Sequence, residues 1–546
     1  MLKRRDFLKT VAGGPMALAP IKAIGSRYQT SGSYYGVHPF IENNPDAVFI
    51  MKTNVDVKTN SEAKVLAGLD FGRSVLIPKD EADGGVPLTH NVAIKPNLTT
   101  LSKNPTEGTM GVFTDAYFIE GIIAGLNELG VSSGQIFLRE TNSKTTEIDA
   151  SGFSQMAARS GVSLKVNSLK VGVISENELA WVDTSPECVW FRKMPYLWPF
   201  NAPDTFFLNI AKFKAHGMGL TLAGKNIQGT LCHDYQELCS SSHYDGNMNI
   251  DPGHFKIDAH SVIAANFARH VADGIPRWEK PGTGWNSGLG MERWATRTID
   301  NHISSNIGLH IVEGVYGRDG NGFSNGPYMA DGTMNIYSSN GQGRDFMTNI
   351  IIFGKNPFHV DSIGHWLGGH EPGNLGYLHL ALERGASTLM NPHSIPVYEW
   401  NADGSAALTP LDQFERTQLI TYYLRRNYNS QTEPYWHMLD EPFDYGTVHV
   451  DSPAASQNPQ AFVLRQNRPN PFNPNTAIEY SIPRGGYVRL EVFNMNGQLV
   501  EVLADGYMEG GAHMAVWNTG RQSSGTYFYR IRYGGFSETK KMVLLK

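Results

Sequence analysis

The chain has 546 residues, more than one compact domain usually holds and enough for two or three. Its formal net charge of −6 leaves no basic footprint for nucleic acid. Three cysteines, Cys188, Cys232 and Cys239, exclude a four-cysteine zinc centre or iron–sulfur cluster, and spacing alone does not decide whether Cys232 and Cys239 bridge.

The first residues read as an address. Lys3-Arg4-Arg5-Asp6-Phe7-Leu8-Lys9 leads into a modest apolar stretch from Val11 to Ala19. That run is too short for a permanent membrane span, which takes about 20 apolar residues. Ala17-Leu18-Ala19 offers a small-x-small cleavage site. Paired arginines followed by Phe7 and Leu8 resemble the twin-arginine export signal, so residues 1–25 are assigned to it. The resemblance implies the twin-arginine translocase as a partner and passage through the periplasm. No later segment is apolar over a spanning length, so no permanent membrane span is expected.

Residues 45–450 alternate apolar strands with helical segments. His90–Lys95 is a strand ending in Pro96-Asn97. Thr114 caps a helix running to Leu129, which Gly130 stops. Gln135–Glu140 and Val162–Val166 are strands, with a helix over Phe153–Arg159 closed by Gly161 between them. Thr205–Ile210, Gly308–Glu313 and Asn349–Phe353 are further strands, and Leu375–Arg384 is a helix. This alternation predicts an α/β body with a mostly parallel sheet covered by helices, whose ligand lies beyond the carboxyl ends of the strands. No G-x-G-x-x-G or P-loop motif follows any strand, so a standard dinucleotide or triphosphate site is unsupported.

Four polar groups fall at these strand ends. They are Lys95-Pro96-Asn97; Glu140-Thr141-Asn142; Asn209 to His216 with Thr221 and Lys225 to Gly229; and Glu313 to Gly320. Lysines gathered from successive strand ends need an anion, either a ligand or a carboxylate such as Glu140 or Glu313. Lys95, Lys214, Lys225 and His216 are therefore the candidate catalytic residues. Asn97, Glu140, Asn142, Thr221, Asn226, Glu313 and Asp361 are candidate ligand contacts. Histidines suggest a divalent metal as a second possibility. His233, His243, His254 and His260 lie in one stretch, and Asp361 and His365 are one helical turn apart. The metal set to test is His216, His233 and His254.

These groups carry a resemblance. Ile94-Lys95-Pro96-Asn97, Gly111-Val112-Phe113-Thr114-Asp115, Lys214-Ala215-His216, Lys225-Asn226-Ile227-Gln228-Gly229 and Gly354 to Asp361 are similar to the domain-of-unknown-function family 362. The similarity runs over about 90–390, with a divergent insert near 235–300. The family usually has Asp where Asn356 stands, and the iron–sulfur module that can accompany it has no counterpart here, so no iron–sulfur cluster is expected. The family's reaction is not established, so the resemblance implies an architecture and a site rather than an activity.

A Pro-, Ser- and Asn-rich linker over 451–461 precedes a change of pattern. Ala477–Ile482, Tyr487–Phe493, Gln498–Leu503, His513–Trp517, Thr526–Tyr533 and Glu538–Leu545 alternate with period two. In one of them Val488, Leu490 and Val492 face one way and Arg489 and Glu491 the other. An all-β, immunoglobulin-like sandwich over 462–546 follows. Gln466 to Pro474, Val492 to Gly497, Ser524 to Tyr529 and Lys540 to Lys546 resemble the type IX secretion sorting domain. That resemblance implies type IX secretion machinery as a partner and a secreted or surface-attached protein.

Two readings of the body follow. In one it is an enzyme acting on a small anionic substrate, with a bound metal or cofactor, His216 as acid/base or metal ligand, and a desolvated lysine as an alternative base. In the other it is a non-catalytic surface protein binding an anionic ligand or a metal.

Overall fold

The computed structural model describes residues 33–99, 107–141, 145–167, 171–216, 219–235, 251–276, 288–320, 326–333, 341–421, 442–447 and 462–545, several of these ranges with short breaks. The 1–25 segment, Asn142, Cys239, His243 and the 451–461 linker lie outside them. The chain divides into two compact units, Met1–Tyr445 and Gly446–Lys546.

The first unit is organised on a ten-stranded sheet. Its strands are β1 (Val48–Lys52), β2 (Asn91–Pro96), β3 (Ile136–Glu140), β4 (Ser163–Val166), β5 (Thr205–His216), β6 (Gly219–Thr221), β7 (Leu309–Arg318), β8 (Asp345–Gly354), β9 (Val397–Trp400) and β10 (Ala406–Leu408). Across the sheet the order is β10-β9-β1-β8-β7-β5-β2-β3-β4, with β6 folded back on β5. Strands β7, β5, β2, β3 and β4 form one parallel block. Strand β8 runs antiparallel to both β7 and β1, which the alternation of elements does not reveal.

Helices cover both faces. On one lie α1 (Ser61–Val75), α2 (Ala116–Glu128) and α3 (Phe153–Ser160), packed with Ile94, Leu208, Ile210 and Ile311. Helices α1 and α2 approach closely because Gly68 and Gly121 face each other, and a Cβ on either would overlap backbone of the other helix. The cap of α2 is Asp115, which accepts from the Tyr117 and Phe118 amides, and not Thr114 as the sequence suggests. Thr114 Oγ1 instead accepts from the Asn97 amide and donates to the Ile210 carbonyl, tying the end of β2 to β5.

Strand β5 is buried along all twelve residues, which explains its near-continuous apolar reading. Its Ala211, Phe213 and Ala215 pack on the other face with Val360 and Ile363 of helix α7. The helices following α3 are α4 (Ala223–Asn226), α5 (Ala259–Ala272), α6 (Gly288–Ser304), α7 (Pro357–Leu367) and α8 (Gly376–Glu383). Asn356 caps α7 by accepting from the Phe358 and His359 amides, a task that an Asp would perform equally.

In the second unit the described strands form two antiparallel sheets around one core. They are β11 (Val463–Leu464), β12 (Asn475–Ile482), β13 (Gly486–Asn494), β14 (Leu499–Met508), β15 (Gly511–Asn518), β16 (Gly525–Tyr533) and β17 (Phe536–Leu544). One sheet is β11-β12-β15 and the other β14-β13-β16-β17. Val488, Leu490 and Val492 are wholly buried, as the alternation requires. Glu491, on the opposite face, is also buried, because Arg489 and Arg530 close over it.

Candidate functional site

Parallel strands end on the same edge of a sheet, so β2, β3, β5 and β7 deliver their carboxyl ends to one place. Strand β5 is longer than the sequence suggests. It continues through Lys212, Lys214 and His216, then turns back as β6, so this polar group lies in a β-hairpin. Alternation places Lys212, Lys214 and His216 on one side of the strand. In the hairpin Lys214 is the cross-strand partner of Thr221, and His216 that of Gly219.

The floor is a closed polar network. Lys95 Nζ donates to Glu140 Oε2 at 2.5 Å, to the Pro96 carbonyl at 2.6 Å and to Asn226 Oδ1 at 3.5 Å. The Glu140 carboxylate also accepts from the Leu98 and Thr141 amides. Burial pushes the Lys95 amine down and the Glu140 carboxyl up, and each partner offsets part of that shift in the other. Asn226 Nδ2 donates to the Lys95 carbonyl and to Asn209 Oδ1, and Asn226 Oδ1 accepts from Asn97 Nδ2 at 3.0 Å. Gly229 lies so close to this floor that a Cβ there would overlap the Glu140 carboxylate and come within 2.7 Å of Lys95 Cε.

Above the floor, cations crowd. Lys214 is 1% exposed and donates to the Val112 carbonyl at 2.5 Å. Burial holds its amine well below the ordinary lysine range, and Lys225, Arg318 and Lys212 push it further down, against Glu140. His216 is likewise held well below the usual histidine value by burial, then by Lys225 and Lys214. Two neighbouring cations are already neutralised. Lys212 gives both Glu313 oxygens a hydrogen bond, and Arg318 pairs with Asp345. Two buried polar atoms of the cluster accept or donate no hydrogen bond: Thr221 Oγ1, across the hairpin from Lys214, and Asn97 Oδ1, on the amide that donates to Asn226. Polar atoms buried from water are nearly always paired.

The model of the domain of unknown function DUF362 matches residues 92–365, which includes every residue of this cluster. The chain belongs to the DUF362 family. The model of the secretion system C-terminal sorting domain matches residues 468–545, a type IX sorting domain that indicates a secreted or cell-surface protein. No curated protein and no solved structure matches the chain. Among the described residues, no helix is long and apolar enough to cross a membrane.

Within the DUF362 body several expected ligand contacts serve the protein instead. Glu313 is enclosed by Lys212 and the Asp115 and Val315 amides, leaving it nothing to offer a ligand. Asp361 and His365 share one face of α7, where His365 holds the hairpin and Asp361 the start of α4. Asp361 accepts from the Gly224 amide and from Tyr377 Oη, and His365 Nε2 accepts from the Leu220 amide. Burial raises the Asp361 carboxyl to about 7. The expected His216–His233–His254 metal set is not assembled. His254 hydrogen-bonds Tyr235 Oη and lies against Trp181. Among the described residues no three His, Cys, Asp or Glu side chains are gathered to hold a metal.

Sequence reasoning passed over the supports beneath the cluster. Lys64 pairs with Asp115 at 2.7 Å, Tyr316 Oη donates to Asp115 Oδ2, and Lys212 rests 3.6 Å from the centre of the Tyr316 ring. No motif marks Lys64, which lies on α1 far from the strand ends. Lys212 carried a readable signal, its period-two spacing to Lys214 and His216.

Proposed function

We propose that the DUF362 body binds a small oxyanion, with Lys214, Lys225 and His216 around its charge, Thr221 and Asn97 completing the contacts, and Lys95–Glu140 as the floor. One observation carries this reading. Lys214 and Lys225 stand close together with His216, and Thr221 Oγ1, across the hairpin from Lys214, is buried without a hydrogen bond. Cations so placed favour an anionic guest. Asp361 and His365 act as positioning residues, holding the turn that carries Lys225.

In this reading the protein leaves the cytoplasm through a twin-arginine signal at 1–25, crosses the periplasm, and is then passed on by the 462–546 sorting domain, whose two sheets form an immunoglobulin-like sandwich. The body spans about 45–450, ahead of the 451–461 linker.

Calorimetric titration of the full chain with succinate and with inorganic phosphate tests the site. At least one binds, and Lys225→Ala weakens it about tenfold or more, because a charge-assisted hydrogen bond contributes about 1.5–3 kcal/mol. No binding by either anion, or unchanged binding to the variant, refutes the proposal. A catalytic reading has its own support in the depressed Lys214 and His216, since a neutral amine or imidazole accepts a proton. It predicts deuterium uptake at carbon beside the carboxylate of a bound acid in D2O. Failure of uptake leaves a binding protein.

A further inference from the structure

The amides of Asn209, Asn226 and Asn97 form a chain with no rotational freedom. Asn209 Nδ2 donates to the Ala223 carbonyl at 2.9 Å, which turns its Oδ1 toward Asn226. That oxygen accepts from Asn226 Nδ2 at 2.8 Å, and the same NH2 donates to the Lys95 carbonyl at 3.1 Å. Asn226 therefore presents its Oδ1 to Asn97, whose Nδ2 donates to it at 3.0 Å. Turning any one of the three amides over would set oxygen against oxygen or NH2 against NH2.

The chain ends on Asn97 Oδ1, an acceptor shielded from solvent that receives no hydrogen bond. The second such atom, Thr221 Oγ1, stands across the hairpin from Lys214 on a residue that is 1% exposed. Both sit in surroundings where an unmade bond is costly. They ask for different things. Lys214, Lys225 and the Thr221 hydroxyl offer protons to an anion, while Asn97 Oδ1 needs a proton donor. A fully deprotonated oxyanion has none to give.

We propose, resting on the anion-site reading above, that the ligand is a hydroxylated oxyanion. Its charged group meets Lys214, Lys225 and Thr221, and its hydroxyl donates to Asn97 Oδ1. A hydroxycarboxylate and a hydroxyalkyl phosphate share this chemistry, and matched probes separate them.

The experiment titrates the full chain calorimetrically with malate against succinate, and with glycerol phosphate against propyl phosphate. Whichever pair binds identifies the charged group. Within it the hydroxylated member binds about tenfold tighter, the worth of one well-made hydrogen bond. Asn97→Ala abolishes that preference, so that the two members of the pair bind the variant equally. Equal affinity of the two members for the wild type overturns the inference and leaves the anion site standing. Failure of all four probes to bind overturns both. The comparison of probes on the wild type decides the matter without any variant.

Discussion

Lys95 and Glu140 neutralise each other on the floor of the cluster, Nζ to Oε2 at 2.5 Å, from adjacent parallel strands and with both side chains almost wholly buried. A buried ion pair stabilises only while both partners remain, because removing one strands the other's charge in a dry place. Glu140→Gln is therefore expected to destabilise the first unit by about 3–5 kcal/mol. The double substitution Lys95→Met with Glu140→Leu is expected to recover most of that loss. Calorimetric unfolding of the two variants and the wild type checks it, and a double variant no more stable than the single one would count against the pair.

Gly229 is required by the same pair. Gly229→Ala places a methyl group into the Glu140 carboxylate, and neither Glu140 nor Lys95 has room to withdraw. The expected loss is about 1–3 kcal/mol, the usual cost of overpacking. Gly134→Ala is the control. Its Cβ would meet nothing closer than Ser132 Oγ at 3.8 Å, so its unfolding temperature should match the wild type.

Asp361 makes stability depend on pH in an unusual direction for a carboxylate. Burial raises its folded value to about 7 against 3.8 for the free group, so the folded state holds the proton more tightly. Stability from this group is full below pH 3.8 and is lost as pH rises toward 7. Asp361→Asn keeps an oxygen for the Gly224 amide and removes the charge. The variant is expected to gain on the wild type as pH rises across that window, by at most about 4 kcal/mol. Unfolding temperatures of both proteins between pH 4 and 8 give the answer, and parallel curves would show that Asp361 does not titrate there.

Export separates the two ends of the chain. Arg4→Lys with Arg5→Lys is expected to leave full-length precursor in the cytoplasm. Deletion of 462–546 is expected to leave protein in the periplasm, folded and able to bind anions. Fractionation with an antibody to the DUF362 body distinguishes these outcomes, and surface delivery of the deleted form would refute the sorting role.

The second unit was largely legible in the sequence. Its strands carry one buried face, so Val488, Leu490 and Val492 announce their orientation by spacing alone. The parallel block was legible for a related reason. Strands covered on both sides must be apolar throughout, and helices must fall between them. The polar clusters that resemble DUF362 were likewise visible as groups, including Lys95, Lys214, His216 and Lys225.

What no local pattern contained was the pairing of charges. Lys95 finds Glu140 at a separation of 45 residues, Lys212 finds Glu313 at 101, and Lys95 meets Asn226 at 131. Those partnerships follow from strand order, register, and the irregularity between Lys212 and Lys214, which together choose the face on which each side chain emerges. A one-residue change in register reverses that choice. Composition and periodicity thus set which surfaces must be buried, because burial is a property of each residue's own side chain. Only folding decided which lysine met which carboxylate, because electrostatic pairing is a property of two residues brought together from different strands.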